Sequence, residues 1–320
     1  MKRRAVEKLR RYGILVLGCL MGLGLTSTPT RPEGTVIQLT SDPADERDPA
    51  WSPDGSRIAF SRDSASVYNS GLWIISPTGG AATKIVPATG IARSPSWSSG
   101  GDQIAFSRNN TIRRVAATGG ATVQLTTSPS SSQADTWPAW SPILNEIIYT
   151  TGDGAWLDYQ IYKVLGSGGD EMQISVGVDA AGEPSWDPDG SRIAFRGRAM
   201  VSGEWATNIY ITAFSGGSAR RLTNGREMDR CPAWSPNGDK IAFSSFRSGN
   251  WDIWIIPVVG GAPTQLTTHG ADDLCPTWSP DGTQIAFQSD RGGNYDIWLT
   301  DAIVPVQQRT WGRIKKAHGE

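Results

Sequence analysis

The sequence predicts an all-β fold, a six-bladed β-propeller, from three observations. A string of twelve residues recurs six times. Its spacing has the length of one four-stranded blade. The piece missing from the last unit lies ahead of the first.

The strings are PAWSPDGSRIAF from Pro49, PSWSSGGDQIAF from Pro95 and PAWSPILNEIIY from Pro138. They continue as PSWDPDGSRIAF from Pro184, PAWSPNGDKIAF from Pro232 and PTWSPDGTQIAF from Pro276. The repeated Trp51, Trp97, Trp140, Trp186, Trp234 and Trp278 are separated by 46, 43, 46, 48 and 44 residues. Within each unit a short apolar segment around the Trp leads into a Ser-Pro-Asp-Gly-type turn, where Pro presets φ and Gly or Asn accepts positive φ. An alternating strand such as Arg57-Ile58-Ala59-Phe60 follows, then an apolar strand such as Leu72-Trp73-Ile74-Ile75. A Gly-Gly turn (Gly79-Gly80 in the first unit) leads to an outer strand ending in Gln-Leu-Thr or a near variant, as at Gln124-Leu125-Thr126. Helical periodicity of useful length does not occur after residue 28.

The sixth unit runs through Ile297-Trp298-Leu299 and stops before its Gly-Gly and Gln-Leu-Thr, while Val36-Ile37-Gln38-Leu39-Thr40 precedes the first Trp. That N-terminal segment is expected to be the outer strand of the last blade, closing the ring so that the first and last blades do not part. The propeller is expected over residues 34–301.

The first residues read as an export signal. Lys2, Arg3, Arg4, Lys8, Arg10 and Arg11 precede an apolar run from Gly13 to Leu25, too short for a bilayer span and suited to a signal peptide over 1–28. Cys19, in Leu15-Val16-Leu17-Gly18-Cys19, resembles a lipobox; lipidation there, plain cleavage near Thr28 and a retained anchor are the open readings. A periplasmic or cell-surface location is expected, with membrane attachment only if Cys19 carries lipid. Residues 302–320 form a basic tail with Arg309, Arg313, Lys315 and Lys316. Residues 1–28 account for six of the 30 basic residues and one of the 31 acidic ones, leaving 24 against 30, a net charge of −6. That balance argues against nucleic acid as a partner.

Ala-Trp-Ser-Pro-Asp-Gly followed by Ile-Ala-Phe, with Gly-Gly and Gln-Leu-Thr downstream, resembles the WD-like repeat of TolB-type propellers. Ser289 to Trp298 is similar to that family's second-to-third strand hairpin, and Ser245 to Trp254 repeats it. TolB proper joins its propeller to a preceding α/β domain and works in the periplasm with Pal and other Tol components. Too few residues precede the first repeat here for that domain, so a Tol–Pal role is not expected. Similar propellers also accompany peptidase domains and form lyases, so the repeat does not set the chemistry.

The chain lacks Gly-x-Ser-x-Gly, H-E-x-x-H, a phosphate loop and an EF-hand loop, and holds only His269 and His318. A non-catalytic protein- or peptide-binding scaffold, monomeric and without a cofactor, is the expectation. The alternative is a carboxylate- or metal-assisted lyase or hydrolase working in the channel. Five residues before each repeated Trp stand Glu46, Ala92, Asp135, Ala181, Asp229 and Asp273, with Asp48, Glu183 and Asp272 close by. These acids read either as an electronegative funnel at the channel mouth, for a basic partner segment or a divalent cation, or as caps of turns. Cys231 and Cys275, each three residues before its Trp, either pair or remain free, depending on whether neighbouring blades bring their Cα atoms within about 7 Å. The repeated Trp residues read as core, and Trp137, Trp156, Trp205 and Trp251 as candidates for a contact surface.

Overall fold

The computed structural model describes residues 35–63, 71–86, 90–127, 133–153, 158–174 and 176–302. The signal segment with Cys19, the tail from 303, His318 and Trp156 lie outside the described residues. Twenty-four strands among the described residues form six antiparallel sheets of four, and no helix occurs there. The inner strands are Glu46–Trp51, Ala92–Trp97, Ala134–Trp140, Ala181–Trp186, Asp229–Trp234 and Asp273–Trp278, numbered here as blades 1 to 6. In blade 1 the sheet continues through Ile58–Arg62, Gly71–Ile75 and Thr83–Val86.

The turn after each inner strand explains the recurrent Ser-Pro-Asp-Gly. Ser52 Oγ accepts the Arg57 N–H at 3.0 Å and donates to Asp54 Oδ1 at 2.6 Å. Asp54 Oδ1 also takes the Ser56 N–H, and Gly55 supplies the φ of 71° that closes the turn. Ser279, Asp281 and Gly282 repeat the arrangement in blade 6.

The core lies between blades rather than within them. The Phe of each Ile-Ala-Phe (Phe60, Phe106, Phe195, Phe243, Phe287) is fully buried, as is Tyr149 in the third unit. Phe60 and Ile58 pack with Ala286, Ile297 and Leu299 of blade 6, so each blade's aromatic face covers the blade before it. Trp97, Trp186 and Trp278 donate their indole N–H to the carbonyl oxygens of Ala50, Ala139 and Ala233 on the preceding blade. These three Trp residues thus join adjacent blades.

The ring closes as the two chain ends require. Val36–Gln38 pairs antiparallel with Asp296–Asp301, aligning Val36 with Thr300 and Gln38 with Trp298. Beyond the ladder, Leu39 N donates to Ile297 O at 2.8 Å, and the Ile297 N–H donates to Thr40 Oγ1 at 2.9 Å. Thr40→Val keeps the shape of that side chain and removes the hydroxyl. We expect it to lower stability by about 1–3 kcal/mol, read as an earlier midpoint in urea unfolding.

Candidate binding site in the central channel

A single extra residue in each inner strand shapes the channel. In blade 1 the ladder pairs Glu46 with Arg62 and Arg47 with Ser61, then resumes at Ala50 with Ala59, leaving Asp48 and Pro49 opposite one residue. All six inner strands slip at this place. The bulged residues are Asp48, Ser94, Trp137, Glu183, Cys231 and Cys275, each before a Pro and each at a left-handed φ between 46° and 54°. That conformation costs about 1–2 kcal/mol for a residue with a Cβ. Neighbouring blades offset it by capping the N–H groups that leave the ladder. Asp48 N donates to Gln288 Oε1 (2.9 Å), Ser94 N to Asp48 Oδ2 (3.1 Å) and Glu183 N to Thr150 Oγ1 (3.0 Å). Cys231 N donates to Glu183 Oε2 (2.6 Å) and Cys275 N to Ser244 Oγ (2.9 Å).

The bulged residues head a cavity of about 410 Å³ on the ring axis, which continues along Ala50, Trp51 and Trp97 to Pro53, Pro142 and Pro280 in the following turns. Its walls are mostly proline rings, indoles and serines. Two carboxylates reach it, Asp48 and Glu183, on blades 1 and 4, which stand opposite each other in a ring of six. They differ sharply. Glu183 is buried, accepts the Cys231 N–H, and lies 3.6 Å from Arg196 Nε and 3.7 Å from Arg230 Nη2. Asp48 is half-buried; its Oδ2 takes Ser94 N and Ser61 Oγ, while its Oδ1 takes no bond among the described residues.

The other acids lie elsewhere, which corrects the expected funnel. Glu46, Asp135, Asp229 and Asp273 are fully buried between blades and closed to solvent. Glu46 pairs with Arg62 Nη2 at 2.5 Å, Asp229 with Arg247 at 2.9 Å and Asp273 with Arg291 at 2.7 Å. Asp135 accepts from Thr126 Oγ1 (2.6 Å) and Thr151 Oγ1 (2.8 Å). Thr126 is the Thr of a Gln-Leu-Thr, and Thr40, Thr223 and Thr267 hold the same place in their outer strands; Thr267 donates to Asp252 Oδ1 at 3.3 Å. Each hydroxyl also accepts a backbone N–H of its own blade's third strand. Asp272 is buried beside them, its N–H held by Asp290 Oδ1. No three His, Cys, Asp or Glu side chains among the described residues come together to hold a metal ion.

The sequence held a sign of this arrangement. Blades 2 and 4 carry Ala92 and Ala181 in place of the acid, and the preceding outer strands carry Val86 and Ser175 in place of Thr. At blade 2 the hydroxyl and the acid are both absent; at blade 4 the hydroxyl stays as Ser175 while the acid is absent.

Cys231 and Cys275 are disulfide-bonded across blades 5 and 6, with Cα atoms 5.0 Å apart. The bulge brings them close to the axis, where neighbouring blades approach. Of the other aromatics, Trp137 lines the channel edge-on to Tyr159, Trp251 is buried, and Trp205 is 54% exposed on the long hairpin of blade 4. His269 is exposed outside the channel, its Nδ1 accepting the Ala271 N–H.

The fold and channel define a six-bladed propeller built from one WD-like repeat. The TolB beta propeller domain model matches residues 184–312. TolB from Acinetobacter baumannii is similar in structure (TM-score 0.63, 20% identity), the match covering 75% of this chain and 59% of that one. An oligogalacturonate lyase from Vibrio parahaemolyticus (TM-score 0.59, 12% identity) is covered to 99% by 85% of this chain. A gluconolactonase from Xanthomonas campestris (TM-score 0.61, 11% identity) is covered to the same extents. No curated protein sequence matches the chain. By repeat and fold this chain is a six-bladed β-propeller, and its second half is similar to the TolB beta propeller domain.

Two measurable consequences follow from the buried groups. Burial, with Asp273 nearby, raises the Asp252 pKa to about 7; burial, with Glu46 nearby, raises Asp296 to about 6. The folded chain then holds more protons than the unfolded chain between about pH 4 and pH 7, so stability falls as pH rises through that window. Asp252→Asn should flatten the fall in a series of thermal melts. For the disulfide, Cys231→Ser with Cys275→Ser should cost about 4 kcal/mol in chemical denaturation, the loss expected from opening a loop of this length.

Proposed function

We propose that this chain is an exported, non-catalytic binding module that takes a cationic segment of a protein or peptide partner into its central channel at Asp48. The single observation that carries the reading is a carboxylate on the wall of a 410 Å³ cavity with one oxygen unbonded among the described residues. A cavity of this size admits one or two side chains rather than a domain. Its proline and indole walls suit the aliphatic neck of Lys or Arg, and Asp48 suits the charged head. Opposite, Glu183 is already neutralised by Arg196 and Arg230, so Asp48 is the oxygen left for an incoming donor.

The TolB-like fold supports a scaffold role at the level of protein binding. Export rests on the basic start and apolar run of the first residues, and attachment to a membrane on lipid at Cys19. A monomer and a resident site without metal or cofactor complete the proposal. The lyase or hydrolase reading is the weaker one. Its proton-transfer group would be Asp48 or Glu183, and no cluster of His, Cys, Asp or Glu able to hold a metal occurs among the described residues.

Short Lys- and Arg-containing peptides, titrated against the intrinsic fluorescence of the channel Trp residues, test the proposal. Saturable binding that weakens with salt is expected, with Asp48→Asn lowering affinity at least tenfold. Equal affinity in the variant removes Asp48 from the site. Neutralising Asp135, Asp229 and Asp273 together should instead lower stability, because their partners are buried threonines and arginines.

A further inference from the structure

Blade 2 breaks a charge pattern that other blades keep. In blade 1, Arg62 stands opposite Glu46 on the ladder, bonds it, and lies 4.0 Å over the Trp73 ring. Arg247 and Arg291, two residues later in their hairpins, do the same with Asp229 and Trp254 in blade 5 and Asp273 and Trp298 in blade 6. In each case a half-buried Arg has an acid on one side and an indole on the other.

In blade 2 the ladder pairs Arg108 with Ala92 and Phe106 with Arg113. Arg108 therefore occupies the place of Arg62, with a methyl group where the acid stands. Arg113 occupies the place of Trp73, so the indole is replaced by a second guanidinium on the same face. Arg108 is 7% exposed, yet its guanidinium has no ion pair or hydrogen bond among the described residues. Burial and the neighbouring Arg113 both push its pKa down. Arg113 places its Nη atoms on Thr122 Oγ1 (3.2 Å) and Gln124 Oε1 (2.8 Å), and its buried Nε has no partner. The acid next to this face, Asp63, is bonded to Arg93. The flanking segments 64–70, 87–89 and 128–132 contain no Asp or Glu.

A cation held out of bulk water without a counter-charge is costly, and a second guanidinium beside it adds to the cost. Other blades meet that demand with a built-in carboxylate. We propose that Arg108 and Arg113, at the seam between blades 1 and 2, form an oxyanion-binding site whose ligand supplies the negative charge that Ala92 cannot. The planar forks of two guanidinium groups suit an anion with several oxygens in one plane or at tetrahedral corners. Chloride offers neither geometry. The site is separate from the channel and stands or falls without the reading of Asp48.

Thermal melts and calorimetric titrations of the whole protein at low ionic strength test the site. Inorganic phosphate, sulfate and acetate are the probes, and chloride is the control for screening. Wild type should show a saturable rise in melting temperature of several degrees at low millimolar sulfate or phosphate, with heat of binding at one site. Acetate matching them assigns the site to carboxylates, including those of a protein partner; acetate failing assigns it to tetrahedral anions. Arg108→Gln should lose both signals. Ala92→Glu should also lose them while melting higher than wild type in the absence of anion, because it supplies the carboxylate that Glu46 gives Arg62. That second variant decides the matter if Arg108→Gln does not fold. Parallel melting curves in wild type and Ala92→Glu, with no heat of binding, would overturn the proposal, because a general salt effect acts on both alike.

Discussion

The extra residue at each bulge makes the side chains before and after it exchange faces of the sheet. Without it, Glu46 and Trp51, five positions apart, would point to opposite sides. With it, their ladder partners are Arg62 and Ile58, four positions apart, and both face the preceding blade. The acid is drawn into the seam with the aromatic core, and the bulged residue is turned to the axis. The freed N–H must then find an acceptor, and the neighbouring blade provides one. Channel lining, seam polarity and blade order all follow from that one insertion.

Carboxylates buried between blades need partners, and the ring supplies two kinds. Thr126 of the outer strand accepts a backbone N–H of its own blade and gives its proton to Asp135 of the next. An Arg on the following hairpin gives the charge. Burial still dominates: Glu46, Asp229 and Asp273 all have raised pKa values although Arg faces them. These groups set which blade packs on which; their contribution to net stability is smaller, because desolvation takes back much of the attraction.

The architecture was legible because it is written six times over. Repeat length gave the blades, and the missing outer strand of the sixth unit gave the closing segment at Val36. The site was only partly legible. Strict alternation assigns the acids to a mouth, and nothing in Glu46-Arg47-Asp48-Pro49 announces the left-handed turn at Asp48. The Pro after each bulge was visible in every unit, but it reads equally well as the start of the Trp segment. The approach of Cys231 to Cys275 depended on the same unseen bulge, since it sets their distance from the axis. Reading two columns of the repeat together would have helped: Val86 stands with Ala92, where the Thr126–Asp135 pair of the next seam has neither member.

The seams are therefore of unequal strength. The seam between blades 2 and 3 carries the Thr126–Asp135 bridge, and the seam between blades 5 and 6 carries the disulfide. Seams 1–2 and 3–4 lack the acid. A ring pulled open by force holds longest between blades 5 and 6, where the link is covalent.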